Sequence, residues 1–312
     1  MNFLKLKDLG DLKKFIKKNW NKNHIFVKNE KLILWQHLFV KNRLDFFVKK
    51  DKNKIIALLG IINQSRDKKY SEISLAIWIS KVKSYGAKLY LNLEKILNFK
   101  IVKGTTVDES IIPIYKLLGF KVKKFNIFYL TPFSEKKRIC SINLISSKPI
   151  NKGTLEILNL KQIMNLKEIN KDYIKWRFIN HPVYNYLFLS DNRKKLVLIY
   201  RAVEVNNIKF MRIVDFIGSF KDQKKTIIKL NNFLFQNKFE YMEFFHYGSQ
   251  DKYIKASGLK KLNNKQKIVM YSEPYKGLSY RDFYCCYKTN KVKKIKIVRA
   301  DGDFDRPSVI IS

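Results

Sequence analysis

Cysteine, proline and glycine are all scarce in this chain: three, six and eleven residues respectively among 312. Two of the cysteines, Cys285 and Cys286, are adjacent. That leaves no framework for disulfide stapling and predicts reduced thiols. Acid is short as well, with 26 Asp and Glu against 64 Lys and Arg, a formal charge of +38. Long apolar runs are missing. The longest, residues 55–62 (IIALLGII), is about a third of a bilayer crossing. The opening MNFLKLKDLGDLKKFIKK lacks the apolar stretch of a signal peptide, so a cytoplasmic protein is expected. What the chain does have is core material: 46% hydrophobic and 14% aromatic residues exclude a disordered basic tail. Its length predicts about two domains.

The charge is the footprint of a polyanion binder. Arginine, however, is scarce at ten residues, against 54 lysines. Arginine is the side chain that reads bases and grips phosphate bidentately. Lysine, Asn, Ile, Phe and Tyr are all common, so drift of exposed positions toward AT-rich codons is the preferred account of the excess, with a polyanion-binding surface as the alternative.

The chain repeats itself. With Trp35 set against Trp176, an offset of 141, Phe46–Val48 and the run from Lys54 fall opposite Tyr186–Leu189 and the run from Lys195. Strand-like SEISLAIWIS (71–80) meets RIVDFIGS from Arg212, and a helical pattern at 84–98 meets 225–236. Leu118-Gly119-Phe120 answers Ser257-Gly258-Leu259, and Asn126–Leu130 answers Lys267–Tyr271. The expectation is an α/β fold of two modules, each a mixed central sheet flanked by helices. The N-terminal module is placed at 1–133, led by a helix within 1–30. A polar linker is placed at 134–153, and the C-terminal module with its tail at 154–312.

Lys81-Val82-Lys83-Ser84-Tyr85-Gly86-Ala87 sits where a strand gives way to a helix, and backbone N–H groups there suit an anion. A solvated Lys/Gly turn would use the same residues. Further on, IPIYKLLGF places Tyr115 four residues before a helix-ending Gly119. Together these resemble the GNAT superfamily of acyl-CoA-dependent N-acyltransferases, whose loop reads [R/Q]-x-x-G-x-[G/A]. Lysine replaces the first Arg and Ser84 the first Gly. The resemblance implies acetyl-CoA, or another acyl-CoA, as co-substrate. Its pyrophosphate would lie on residues 81–87, with Tyr115 as the acid that protonates the departing thiolate. Helix packing is the plainer role for Tyr115. The resemblance covers 31–130 well and 170–272 as a diverged copy. The copy's turn, 220–225, has no glycine and is expected not to bind acyl-CoA.

Aminolysis needs a base, and three candidates stand level: His181, Glu72 and His37. Trp176, Arg177, His181, Pro182 and Tyr184 resemble the WR[FY]xxHPxY pattern of GNAT-like proteins from bacterial surface-glycan loci, which implies substrate binding by Trp176, Arg177 and Tyr184. The tail Asp301-Gly302-Asp303-Phe304-Asp305-Arg306-Pro307 is similar to tails of the same proteins. Its Asp301, Asp303, Asp305 and Arg306 would hold sugar hydroxyls, an ammonium or a phosphate. A calcium loop would need a later Gly and Glu that are absent, so no metal is expected. The implied acceptor is an amino sugar on a nucleotide carrier, bound between the modules, with no stable nucleic-acid partner. An aminoacyl-tRNA-dependent ligase of the peptidoglycan-bridge type and a non-enzymatic nucleic-acid binder are the alternatives.

Overall fold

The computed structural model describes residues 1–132, 153–167, 169–205, 207–269, 278–279, 282–289, 291–292 and 294–307. The linker placed at 134–153 lies outside them except for Gly153.

The first half opens with β1 (Asn2–Lys5), then α1 (Leu9–Asn19), α2 (Ile25–Lys28) and α3 (Glu30–His37). Where one leading helix was expected, an edge strand and a break at Trp20–His24 intervene. α1 buries Leu12, Phe15 and Ile16 and exposes lysines, as its 3.6-residue spacing dictates. The sheet continues through β2 (Arg43–Asp51), β3 (Lys54–Asn63) and β4 (Glu72–Ser80). α4 (Tyr85–Ile96), β5 (Ile101–Val107), α5 (Ile112–Leu117), β6 (Lys121–Lys124) and β7 (Asn126–Leu130) follow. The second half carries β8 (Glu156–Ile157), α6 (Leu160–Met164), α7 (Lys171–Ile174), β9 (Leu187–Ser190), β10 (Leu196–Val205) and β11 (Ile208–Gly218). Then come α8 (Lys224–Gln236), β12 (Met242–Gly248), α9 (Asp251–Ala256), β13 (Lys260–Lys261), a short hairpin β14 (Ile268–Val269) and β15 (Leu278–Ser279), β16 (Tyr284–Thr289) and β17 (Lys296–Val298).

The two large sheets run β1-β2-β3-β4-β5-β16-β6 and β8-β9-β10-β11-β12-β7-β13. Position by position they correspond, and the sixth place in each is filled from the other half of the chain. β16 pairs with β5 and β6; β7 pairs with β12 and β13. The repeat therefore closes on β16, not on residues 267–271 as the alignment suggested, because β14–β15 is inserted ahead of it. A core of Phe125, Ile127, Tyr129, Phe245, Phe283, Cys285 and Phe304 gathers around the exchanged strands.

Trp35 and Trp176, the pair that set the offset, meet each other. Each indole N–H donates to the other's carbonyl, at 2.9 and 2.7 Å, and the rings stack at 5.0 Å. Equivalent residues touch one another only beside an axis that interchanges the repeats. The duplication is thus a pseudo-twofold one, with its axis at this pair.

Candidate active site

In the first sheet β4 and β5 run parallel through Leu75 opposite Gly104 and then separate. At the same place β4 carries an extra residue: Trp78 faces Leu59, but Leu75 already faces Ile61. Such a bulge turns backbone groups out of the ladder and reverses which face later side chains take. Trp78 accordingly packs toward α4 and α5, its indole donating to Gly86 O at 3.2 Å and its ring edge-on to Tyr115 at 5.6 Å.

A cleft of about 360 Å³ opens in the resulting wedge. Leu75, Ala76, Ile77 and Trp78 form one side, and Thr105, Thr106, Val107 and Asp108 the other. Tyr115 and Ile111 close it near α5; Trp20, Asn21 and His24, from the break after α1, face them, joined by Asp303 and Arg306 of the tail. Gly104 lies beneath Tyr115 and β16: a Cβ there would stand 2.7 Å from Cys286 Sγ, too close for any side chain, and 3.9 Å, ordinary contact, from the Tyr115 hydroxyl. Burial pushes the Tyr115 phenol above its ordinary range, with the Cys286 thiol and Asp303 adding to it.

The loop after β4 leads into α4 through a left-handed turn. Ser84 stands in the left-handed region at φ +74°, where the family pattern has glycine. Tyr85 N–H donates to Val82 O at 3.4 Å and Lys88 N–H to Ser84 O at 3.1 Å. Between them lie Gly86 and Ala87, whose first-turn N–H groups α4 cannot satisfy from within. Lys81, Val82, Lys83 and Ser84 are exposed, so the loop is accessible to a charged ligand.

The corresponding wedge in the second sheet is closed by the chain itself. β11 and β12 separate after Ile213 and Phe244, and β11 has its own extra residue at Val214. β17 then pairs with His246–Gly248, and Ala300 N–H donates to the freed Val214 O at 2.9 Å. Lys296 Nζ lies 2.7 Å from Asp215 Oδ1 in the mouth of this wedge. At the copy's turn the Gln250 side-chain oxygen accepts from Phe220 N–H at 3.3 Å. Asp191, paired with Arg193, accepts from Thr226 in the first turn of α8. Asp222 there keeps the left-handed conformation of Ser84, at φ +59°.

The tail crosses from the filled wedge to the open one. Asp301 is buried, its Oδ1 3.2 Å from Lys103 Nζ and its carbonyl accepting from Thr105 Oγ1 at 3.2 Å. A Cβ on Gly302 would stand 3.0 Å from Thr105 Oγ1, so the tail lies tight over the last rung of β4 and β5. Asp303 Oδ2 accepts from Arg306 at 3.0 Å. Asp305 is enclosed by Arg201 at 3.1 Å and the Tyr186 hydroxyl at 2.7 Å. Burial opposes its charge, but Arg201 and Arg177 outweigh it and hold its pKa below the carboxylate range.

The candidates named from sequence divide accordingly. Tyr115, Asp303 and Arg306 meet in the cleft, with the 81–87 loop adjoining it through Trp78. Three base candidates lie elsewhere. His37 is fully buried in the first core, one ring nitrogen 2.9 Å from Ile61 O and the other 3.1 Å from Gln36, with burial holding its pKa near 3. His181 Nδ1 accepts from the Val183 and Tyr184 N–H groups, a turn cap. Burial and Arg177 keep the ring neutral, with a pKa of about 3. Glu72 is 2.5 Å from Lys103, four residues short of the wedge; burial works against its charge but Lys103 prevails and lowers its pKa. Trp176 belongs to the axis pair, Arg177 ties Ala300 O and Asp305 O to α7's end at 3.0 and 3.1 Å, and Tyr184 lies under Arg201. Asp301 and Asp305 are likewise structural. Trp20, Asn21, His24 and Thr105–Asp108 were not singled out from sequence, for no motif marks them.

Among solved structures, a GCN5-related N-acetyltransferase from Anabaena variabilis superposes with a TM-score of 0.55, over 91% of this chain and 71% of that one, at 10% identity. The chain has the GNAT fold. A GNAT protein from Sphaerobacter thermophilus matches 92% of this chain and 94% of its own length, at a TM-score of 0.37 and 7% identity. In sequence, a tRNA(Ile)-lysidine synthase from Mycoplasmopsis pulmonis is 28% identical over 139 residues, 40% of this chain; the chain spans 47% of that protein's length. No protein-family profile matches. The two GNAT wedges, one open and one filled, are what the site chemistry has to be built on.

Proposed function

We propose that the protein is an N-acyltransferase that takes its acyl group from acyl-CoA, most simply acetyl-CoA, and transfers it to an amine. One observation carries this reading. The same wedge, with the same bulge, occurs twice; it is filled by β17 in the second module and open beside Tyr115 in the first.

In that wedge Gly86 and Ala87 would meet the pyrophosphate of the donor, with Lys81 and Lys83 adding charge. The freed backbone of Ala76 and Ile77 would line the thioester. Tyr115, its phenol protonated throughout the neutral range, supplies the proton to the leaving thiolate. Asp303 takes the place intended for His181, Glu72 or His37. It binds the acceptor's ammonium and takes one proton from it, which leaves the neutral amine to attack the carbonyl carbon; the second proton, lost from nitrogen as the tetrahedral intermediate collapses, balances the one Tyr115 gives to sulfur. Arg306 pairs with Asp303 at 3.0 Å and orients it. Attack is direct: no cysteine, serine or lysine lines the cleft among the described residues. The acceptor we favour is an amino sugar on a nucleotide carrier. The acceptor side is lined by a carboxylate and a guanidinium, which suit an ammonium beside anionic groups.

Thermal denaturation with millimolar acetyl-CoA tests the reading. The full chain should be stabilised as RT ln(1 + [L]/Kd), and Gly86→Glu, which sets a carboxylate in the cradle, should abolish the shift. No shift in the unaltered chain would end the proposal.

A further inference from the structure

We propose that Trp20, with Lys17 and Lys18, forms a subsite for the nucleotide of the acceptor; this rests on the acyl-transfer reading above. Trp20 is the C-cap of α1 and lines the cleft, yet it is 55% exposed. No aromatic ring of the described residues stacks on it, whereas Trp35, Trp78 and Trp176 all have ring partners. An indole left uncovered at the lip of a cleft has a free face for a flat ligand ring.

Its surroundings select which ligand. Lys17 and Lys18, in the last turn of α1 just before Trp20, are exposed and supply positive charge at the same helix end. Flat ring and lysines together fit a nucleobase followed by phosphate. A lipid surface does not fit, because the apolar side of α1 (Leu12, Phe15, Ile16) is already buried in the core. Trp20 lines the cleft together with Asp303 and Arg306, as does Trp78, whose indole holds the Gly86 carbonyl at the phosphate loop; competition with CoA separates the acceptor's base from the donor's adenine. His24 lines the cleft as a neutral ring: its Nδ1 accepts from Phe26 N–H at 3.2 Å, and burial and Arg306 hold its pKa near 3.

The test is calorimetric titration of the full chain with UDP, GDP and inorganic pyrophosphate. Both nucleotides should bind. Trp20→Ala should weaken them about tenfold, the scale of one base–aromatic stack, while Trp20→Phe should restore most of the affinity. Pyrophosphate should bind all three proteins alike. Unchanged nucleotide affinity in Trp20→Ala overturns the subsite, as does failure of either nucleotide to bind the unaltered chain. Displacement of UDP by saturating CoA would give Trp20 to the donor and also overturn it. Acetyl-CoA stabilisation is measured on the same proteins. If it is absent while UDP binding still depends on Trp20, the acyl-transfer reading falls and the subsite stands.

Discussion

Ser84 occupies a left-handed conformation that favours glycine, at the turn where the donor's phosphates would lie. Replacing it should relieve that strain: Ser84→Gly is expected to raise stability by about 0.5–1 kcal/mol, read from denaturant titration, with the acetyl-CoA shift retained. Destabilisation would show that the serine side chain, not the backbone, matters there. Tyr115→Phe should lower kcat by roughly a hundredfold or more and leave the KM for acetyl-CoA within a factor of two or three, since the hydroxyl acts at the leaving sulfur. Equal loss in KM would assign the hydroxyl to ground-state binding. Tyr115 and the loop were legible in the sequence because each depends on a local pattern, a strand-to-helix turn and a helix end. The surroundings of the base candidates were less so: the burial of His37 and the Lys103 pairing of Glu72 are tertiary facts, whereas the His181 turn is local, closed by Val183 and Tyr184 N–H. Arginine shows the same divide. Five of the eight described arginines are buried, against Lys103 alone among described lysines. The scarce cation holds the interior and the abundant one covers the surface.

Among the elements, β16 and β17 most alter what the sequence implied. The alignment found most of the repeated elements because hydrophobic periodicity is local. It misplaced the last strand because an apolar five-residue run does not record which sheet will accept it. The exchange has an energetic consequence. Each sheet loses its sixth strand if the other half is missing, leaving two edges unpaired and stripping Cys286 from Gly104 and Tyr115. The full chain should therefore unfold in a single calorimetric transition, and residues 1–132 alone should show no cooperative transition and no acetyl-CoA shift. Two separated transitions would mean that the halves are independent despite the exchange.

For the molecule as a whole, three histidines, His24, His37 and His181, are buried neutral with pKa values near 3. Unfolded, each titrates near 6.5. The sign follows: below that value the unfolded chain binds protons that the folded chain refuses, so stability falls as pH falls toward 3. Between pH 7.5 and 5.5 the loss should be about 4 kcal/mol for the three together, measured by urea titration at both pH values. A flat profile would mean the rings can charge without unfolding. The strand exchange also bears on how the protein is made. β6 ends at Lys124, but the strand that must lie between it and β5 does not begin until Tyr284. At ordinary elongation rates some ten to thirty seconds of synthesis separate the two. Throughout that interval the nascent first half presents an open seam between β5 and β6. The ribosome must thus deliver residues up to Arg306 before the lining of the cleft is complete.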